Sequence, residues 1–153
     1  MRSCAACGIP RVTDAYVVDS SVVIRWYVDQ VGHEHARRVQ VDFLAGRVRL
    51  EAPDICRWEI SNVLRKKGAG RLTADDIVSA ATDIEVLGVV LHPAGVADLS
   101  RIIRLAITYG ITVFDAAFVD VALRTGLTLL TSDDRLVRAV AARPVSTELL
   151  EGV

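Results

Sequence analysis

The chain predicts an α/β fold with a central parallel sheet of four or five strands covered by helices on both faces. Two observations carry this. Short apolar strand-like runs are separated by helical segments, the pattern of a parallel sheet buried on both sides. Acids close or soon follow two of those runs, at Asp19 and Asp133, and in such sheets ligands bind beyond the carboxyl ends of the strands where the strand order reverses. The length of 153 residues fits one domain with a real core. With 52% hydrophobic and only 5% aromatic residues, that core is mostly Val, Leu, Ile and Ala.

The first strand is Ala15 to Asp19. A helix starts at Ser21 and carries Val23, Ile24 and Tyr27. Gly32 interrupts, and Glu34 to Leu44 is a second helix before Gly46. Val48–Leu50 is a short strand with Pro53 marking its exit. Asp54 to Lys67 has helical periodicity and stops at Gly68 and Gly70, as helices commonly do. Thr73 to Asp76 matches a capping box, with Asp at its last position, and opens a helix to Leu87. Val89–Leu91 is a strand closed by Pro93. Val96 to Tyr109 is a helix ended by Gly110, and Thr112 to Thr125 another ended by Gly126. Leu127–Thr131 is the best strand in the chain. Asp134 to Ala142 is helical, and Val145 opens a last short strand. Residues 1–14 read as a flexible N-terminal extension, and residues 15–153 as a single domain.

The composition excludes several classes. A net charge of −1 gives no global electrostatic case for nucleic acid, although an acidic site can mask basic patches in the sum. No secretory signal or apolar stretch of bilayer length is visible, which leads to an expectation of no membrane partner. Cys4, Cys7 and Cys56 make no disulfide framework, so a reducing cytoplasm is the expected compartment. Cys4 and Cys7 lack the second pair that a structural zinc needs. No Walker motif, GxGxxG, HExxH or GxSxG occurs.

Four acids lie in or beside apolar segments: Asp19, Glu59, Asp115 and Asp133. A lone carboxylate is costly there, and four together repel unless a cation stands between them, which points to a hard divalent metal. Helical rotation supports two of them. With Phe114 as origin, Asp115 falls near 100° among Phe118 at about 40°, Ala122 at about 80° and Val119 at about 140°. Asp120 falls near 240° and Arg124 near 280°, which reads as an ordinary solvated pair. Glu59 likewise interrupts the stripe carrying Ile55, Cys56 and Val63. Capping is the competing account: Thr112–Asp115 resembles a capping box, and Asp133 or the serines after Asp19 suit an N-cap. Carboxylates with open positions suit Mg²⁺ or Mn²⁺, and metal-assisted phosphodiester hydrolysis follows from that.

The segments Val17–Ser21, Trp58–Leu64, Phe114–Val119 and Leu130–Asp133 together resemble a PIN domain, in particular a VapC-type toxin of a toxin–antitoxin pair. Glu59 follows Asp19 by 40 residues and Asp133 follows Asp115 by 18, and the resemblance covers Ala15 to about Val145. It implies a three-layer α/β/α sandwich and a Mg²⁺- or Mn²⁺-dependent endoribonuclease. Asp19, Glu59, Asp115 and Asp133 match its acidic quartet. Ser20 matches the hydroxyl supporting the first acid, and Thr131 the one before the last. The resemblance further implies in-line cleavage of RNA to 5′-phosphate and 3′-hydroxyl ends, a homodimer, and inhibition by a small VapB-like antitoxin. Residues 1–14 depart from the family pattern and are assigned no role.

Basic residues should ring such a site. Arg135 is the better phosphate contact, while Arg65–Lys67 with Arg71 reads as an ordinary solvated face. The alternatives are a PIN-like structure-specific DNA nuclease, for which the chain has little room, and a non-catalytic binding module, against which the four acids weigh. A haloacid-dehalogenase phosphatase would need Asp where Ser21 stands. A receiver domain would need an earlier acid pair and a late Lys.

Overall fold

The structure is a computed structural model and describes residues 14–150. The extension therefore lies outside the described residues apart from Asp14, as do Cys4 and Cys7. In chain order the elements are β1 (Asp14–Val18), α1 (Ser20–Tyr27), α2 (His33–Leu44), β2 (Val48–Pro53), α3 (Cys56–Lys67) and α4 (Ala74–Val86). They continue with β3 (Val90–His92), α5 (Val96–Tyr109), α6 (Val113–Thr125), β4 (Thr128–Thr131), α7 (Asp134–Val140) and β5 (Thr147–Leu149).

The five strands form one sheet in the order β3-β2-β1-β4-β5, and every pairing is parallel. The chain steps outward from β1 to β3, then crosses back to lay β4 on the other side of β1. The strand order thus reverses between β1 and β4, where Asp19 N–H donates to the Leu130 carbonyl at 2.9 Å. With the right-handed crossovers that parallel strands adopt as a rule, this order puts α1–α4 over one face and α5–α7 over the other. Accordingly α1 contacts α2 and α3, α3 contacts α4, and α5 packs on α6, which itself lies on β1, β2 and β4. This is the expected three-layer α/β/α arrangement.

The core explains the order of the elements. Val17 and Val18 of β1, Leu50 of β2 and Leu129 of β4 are fully buried, as are Val22 and Val23 of α1, Ile60 and Leu64 of α3 and Phe118 and Val119 of α6. Trp26 and Phe43 stack at 6.4 Å and fasten α1 to α2. The capping box is present, with Asp76 N–H donating to Thr73 Oγ1 and Thr73 N–H to Asp76 Oδ2. Helices α5 and α6 stop at Gly110 and Gly126, whose φ of 68° and 70° is a left-handed conformation that glycine adopts without steric cost.

Most boundaries shift by one to three residues, and β1 ends at Val18, which leaves Asp19 just beyond the strand. Strand β2 continues through Pro53, which can sit at a strand end because it owes no further ladder bond there. Helix α3 starts at Cys56, after a turn in which Arg57 N–H donates to the Asp54 carbonyl at 3.3 Å and Asp54 N–H still bonds the His92 carbonyl at 2.9 Å. Strand β5 begins at Thr147, two residues beyond Val145. Among the described residues no single helix is long and apolar enough to cross a membrane. Helices α5 and α6 are apolar together but turn by 107° at their junction.

Candidate active site at the sheet edge

Asp19 sits between β1 and α1 at the point where the strand order reverses. It is 5% exposed. It occupies the N-cap position of α1, yet its side chain makes no capping bond. Instead Ser21 Oγ donates to Asp19 Oδ2 at 2.5 Å and Thr131 Oγ1 donates to the same oxygen at 2.7 Å. Burial pushes the Asp19 carboxyl above its ordinary range. The two hydroxyls pull it down, and the charge of Asp115 adds to the rise.

Glu59 reaches the same region from α3. Ser20 Oγ donates to Glu59 Oε2 at 3.0 Å. Burial, then the negative charge of Asp19 and that of Asp115, raise Glu59 to about 7, against the lowering effect of the Ser20 bond. The expected role of Ser20 is therefore corrected: it supports Glu59, and Ser21 and Thr131 hold Asp19. The cause is helical rotation, since consecutive residues of α1 project about 100° apart. Thr131 also accepts from Asp133 N–H at 3.0 Å, so one hydroxyl ties the first acid to the backbone of the last.

Asp115 is in the first turn of α6. Its backbone N–H donates to Thr112 Oγ1 at 3.0 Å, and Thr112 Oγ1 donates to Asp115 Oδ2 at 2.7 Å. Capping is thus real here, and it coexists with the electrostatic coupling of Asp115 to Asp19 and Glu59. Asp133 is the N-cap of α7, its Oδ1 accepting from Arg135 N–H and Leu136 N–H. That commits one of its two oxygens.

A cleft of about 480 Å³ joins these groups. Asp19, Asp115 and Asp133 line it together with Ser132, Arg25, Lys67 and Arg135. Glu59 lies behind it, through Ser20. Arg135 is 88% exposed and stands 3.7 Å from Asp133 Oδ2. Lys67, which the sequence assigns to a solvated face, lines the cleft and donates to Gln30 Oε1 at 2.6 Å. Arg25 is held by the carbonyls of Ser21 and Val31, both at 2.7 Å, and no sequence motif marks it. Ser132 Oγ is buried without a hydrogen-bond partner, the sole such side-chain atom among the described residues. Two acids raised by burial and then by neighbouring negative charge, an all-oxygen donor set and an orphaned hydroxyl at one site fit a hard divalent cation. Among the described residues no three His, Cys, Asp or Glu side chains stand together at ligand spacing, so the fit is one of charge and donor chemistry.

Two further acids correct the sequence reading. Asp120 is 2% exposed, not solvated. It accepts from Arg101 at 2.5 and 3.0 Å and from Arg124 at 2.9 Å. Burial raises its carboxyl, but the two arginines outweigh this and hold it below the usual range. Phe114, taken as the apolar origin, is 52% exposed. Glu51 of β2, which no sequence motif marks, is buried, hydrogen-bonded to His92 Nε2 at 2.7 Å and ion-paired with Arg49 at 3.0 Å. Its place in a strand of both polar and apolar residues carried no signal. Cys56 is buried, and burial first and then Glu59 push its thiol up to about 12, which leaves it unreactive.

One relative, ribonuclease VapC3 of Pyrobaculum aerophilum, is 29% identical over 130 residues, 82% of this chain and 95% of the relative. PAE2754 from the same organism superposes with a TM-score of 0.60 at 17% identity, over 88% of this chain and 83% of its own. FitAcB from Neisseria gonorrhoeae gives 0.58 at 17% identity, over 88% and 97%. The family model for the PIN domain matches residues 16–142, a span that contains Asp19, Glu59, Asp115 and Asp133, and the chain belongs to the PIN domain family.

Proposed function

We propose that the protein is a Mg²⁺- or Mn²⁺-dependent endoribonuclease toxin of the VapC type, restrained by a small VapB-like antitoxin. The observation that carries this is Asp19: a buried acid at the reversal point of the sheet that caps nothing and is coupled to Glu59 and Asp115. The named ribonuclease relative, matched over nearly its whole length, supports RNA as substrate and an antitoxin as partner.

Asp19, Glu59 and Asp115 would hold the cation, with the uncommitted Oδ2 of Asp133 completing the quartet. A bound divalent ion would polarise the phosphodiester and lower the pKa of the attacking water. The chain's own groups do the rest. Ser21 and Thr131 fix Asp19 Oδ2, and Ser20 fixes Glu59 Oε2. Glu59, with its carboxyl near 7, must release its proton when a cation binds. Arg25, Lys67 and Arg135 offset the repulsion between acids and RNA phosphates.

A homodimer is supported by an outward apolar stripe on α5. Val96, Leu99, Ile103 and Ile107 recur on one helical face and are 87%, 48%, 40% and 77% exposed. Residues 15–153 serve as the catalytic unit.

Purified protein is incubated with structured RNA in Mg²⁺, in EDTA, and as Asp19→Asn. Cleavage in Mg²⁺ alone, lost with chelator and in the variant, is expected. Equal cleavage by Asp19→Asn sinks the proposal, and cleavage of structured DNA but not RNA replaces it by the DNA-nuclease reading.

A further inference from the structure

A second concavity opens beside Glu59. It measures about 350 Å³ and is lined by Ile55, Trp58, Glu59, Asn62, Val63 and Phe114. Trp58 is 70% exposed and Phe114 52%. Neither ring serves the core. Helix α3 buries Cys56, Ile60 and Leu64, and Trp58 projects about 160° away from Ile60. Helix α6 buries Ala116 through Ala122, and Phe114 stands outside that run. In a chain with 5% aromatics, two large rings are left on the surface in one groove. Each directly precedes a site acid, Trp58 before Glu59 and Phe114 before Asp115, so the helix backbones fix ring and carboxylate together.

The groove adjoins the acidic cleft, since Val63 lines both. The two differ in chemistry. The cleft carries Arg25, Lys67 and Arg135. The groove is lined by no cation and offers two π faces, two aliphatic side chains and the exposed amide of Asn62 one turn above Trp58. Charge for the backbone beside aromatic faces for the bases is how single strands are held.

We propose that the Trp58–Phe114 groove receives an unpaired nucleobase flanking the scissile phosphate, stacked on the rings with Asn62 facing its edge. This rests on the ribonuclease reading above. A base within a duplex has both faces covered by its neighbours, so the groove selects single-stranded segments. The residues of the α5 stripe, where a second copy is expected, are not among those lining the groove.

Binding of a labelled single-stranded oligoribonucleotide is measured by anisotropy on the full chain. The proteins are Asp19→Asn alone and combined with Trp58→Ala, Trp58→Leu or Trp58→Phe. Cleavage is followed in the Trp58 variants that keep Asp19, and oligomeric state by gel filtration. Trp58→Ala and Trp58→Leu are expected to bind about 5- to 150-fold more weakly, with Trp58→Phe restoring most of the affinity and oligomeric state unchanged. Trp26 is 6% exposed, so RNA should quench the fluorescence of Trp58. If the wild type cuts RNA while Trp58→Leu binds like its parent, the groove proposal fails and the ribonuclease reading stands. If the wild type neither binds nor cuts RNA with Mg²⁺ or Mn²⁺, both fall. Dissociation of a dimer by Trp58→Ala, without rescue by Trp58→Phe, gives the groove to a second copy and overturns the proposal.

Discussion

Replacing Glu59 by Gln should stabilise the metal-free protein near neutral pH. Burial and the charge of Asp19 raise the Glu59 carboxyl from 4.5 to about 7. The folded state therefore keeps a proton that the unfolded chain releases at about 4.5. Stability from this group is fully present below that value and is lost as pH rises through about 7. The whole displacement corresponds to roughly 3 kcal/mol. Glu59 is only partly buried, and screening by water reduces this to about 1–2 kcal/mol. Gln keeps the acceptor for Ser20 Oγ and removes the charge. In EDTA, the Tm of the wild type should fall between pH 5 and 8. Glu59→Gln should fall less and exceed the wild type at pH 8 by about 2–8 °C. Some slope survives because Asp19 is also raised. Millimolar Mg²⁺ should reverse the order by binding the wild-type folded state. Parallel pH slopes for the two proteins, or a Glu59→Gln variant less stable at pH 8, would refute the electrostatic account.

The two serines of α1 should separate. Ser21→Ala removes a donor to Asp19 and the acceptor for Ser132 N–H. It should weaken Mg²⁺ binding about 10- to 100-fold in a metal titration. Ser20→Ala removes the bond that lowers Glu59, so its main effect should be an upward shift in the pH at which Mg²⁺ binding develops. Asp133 is tested by a pair of variants. Asn is as good an N-cap as Asp, so Asp133→Asn should keep the urea midpoint while losing metal-dependent cleavage. Asp133→Ala should lose cleavage and about 1 kcal/mol of stability.

Most of the architecture was legible because the signals are local. Thr73–Asp76, Gly110 and Gly126 mark helix ends through bonds and backbone angles within a few residues. The parallel sheet follows from strands alternating with helices, but the order β3-β2-β1-β4-β5 is non-local. At the site, the four acids could be picked out and the groups around them could not. Ser20 and Ser21 are neighbours in sequence but face α3 and β4 respectively, which depends on how α1 packs. Asp120 was misread for a related reason. Helix α6 is buried from Ala116 to Ala122, between the sheet and α5. A helix covered on most sides has no polar arc, so a position opposite Phe114 is no guide to exposure.

The buried acids elsewhere in the molecule act as a control for the site. The fold buries two acids away from the cleft and neutralises both by direct pairing: Asp120 with Arg101 and Arg124, and Glu51 with His92 and Arg49. For Asp120 the result is a carboxyl below its usual range. At the cleft the solution differs. Among the described residues, Asp19, Glu59 and Asp115 have no ion-pair partner within 4 Å and are supported by hydroxyls instead. Hydroxyl donors orient a carboxylate and lower its pKa without cancelling its charge, and burial outweighs them at Asp19 and Glu59, which stay raised. Removing water from acids without supplying a countercharge costs stability, and perturbed carboxylates of this kind cluster where a function requires them. The arginine-paired acids show that the fold can neutralise buried charge. The unneutralised acids at the reversal point of the sheet are where a divalent cation would restore the balance.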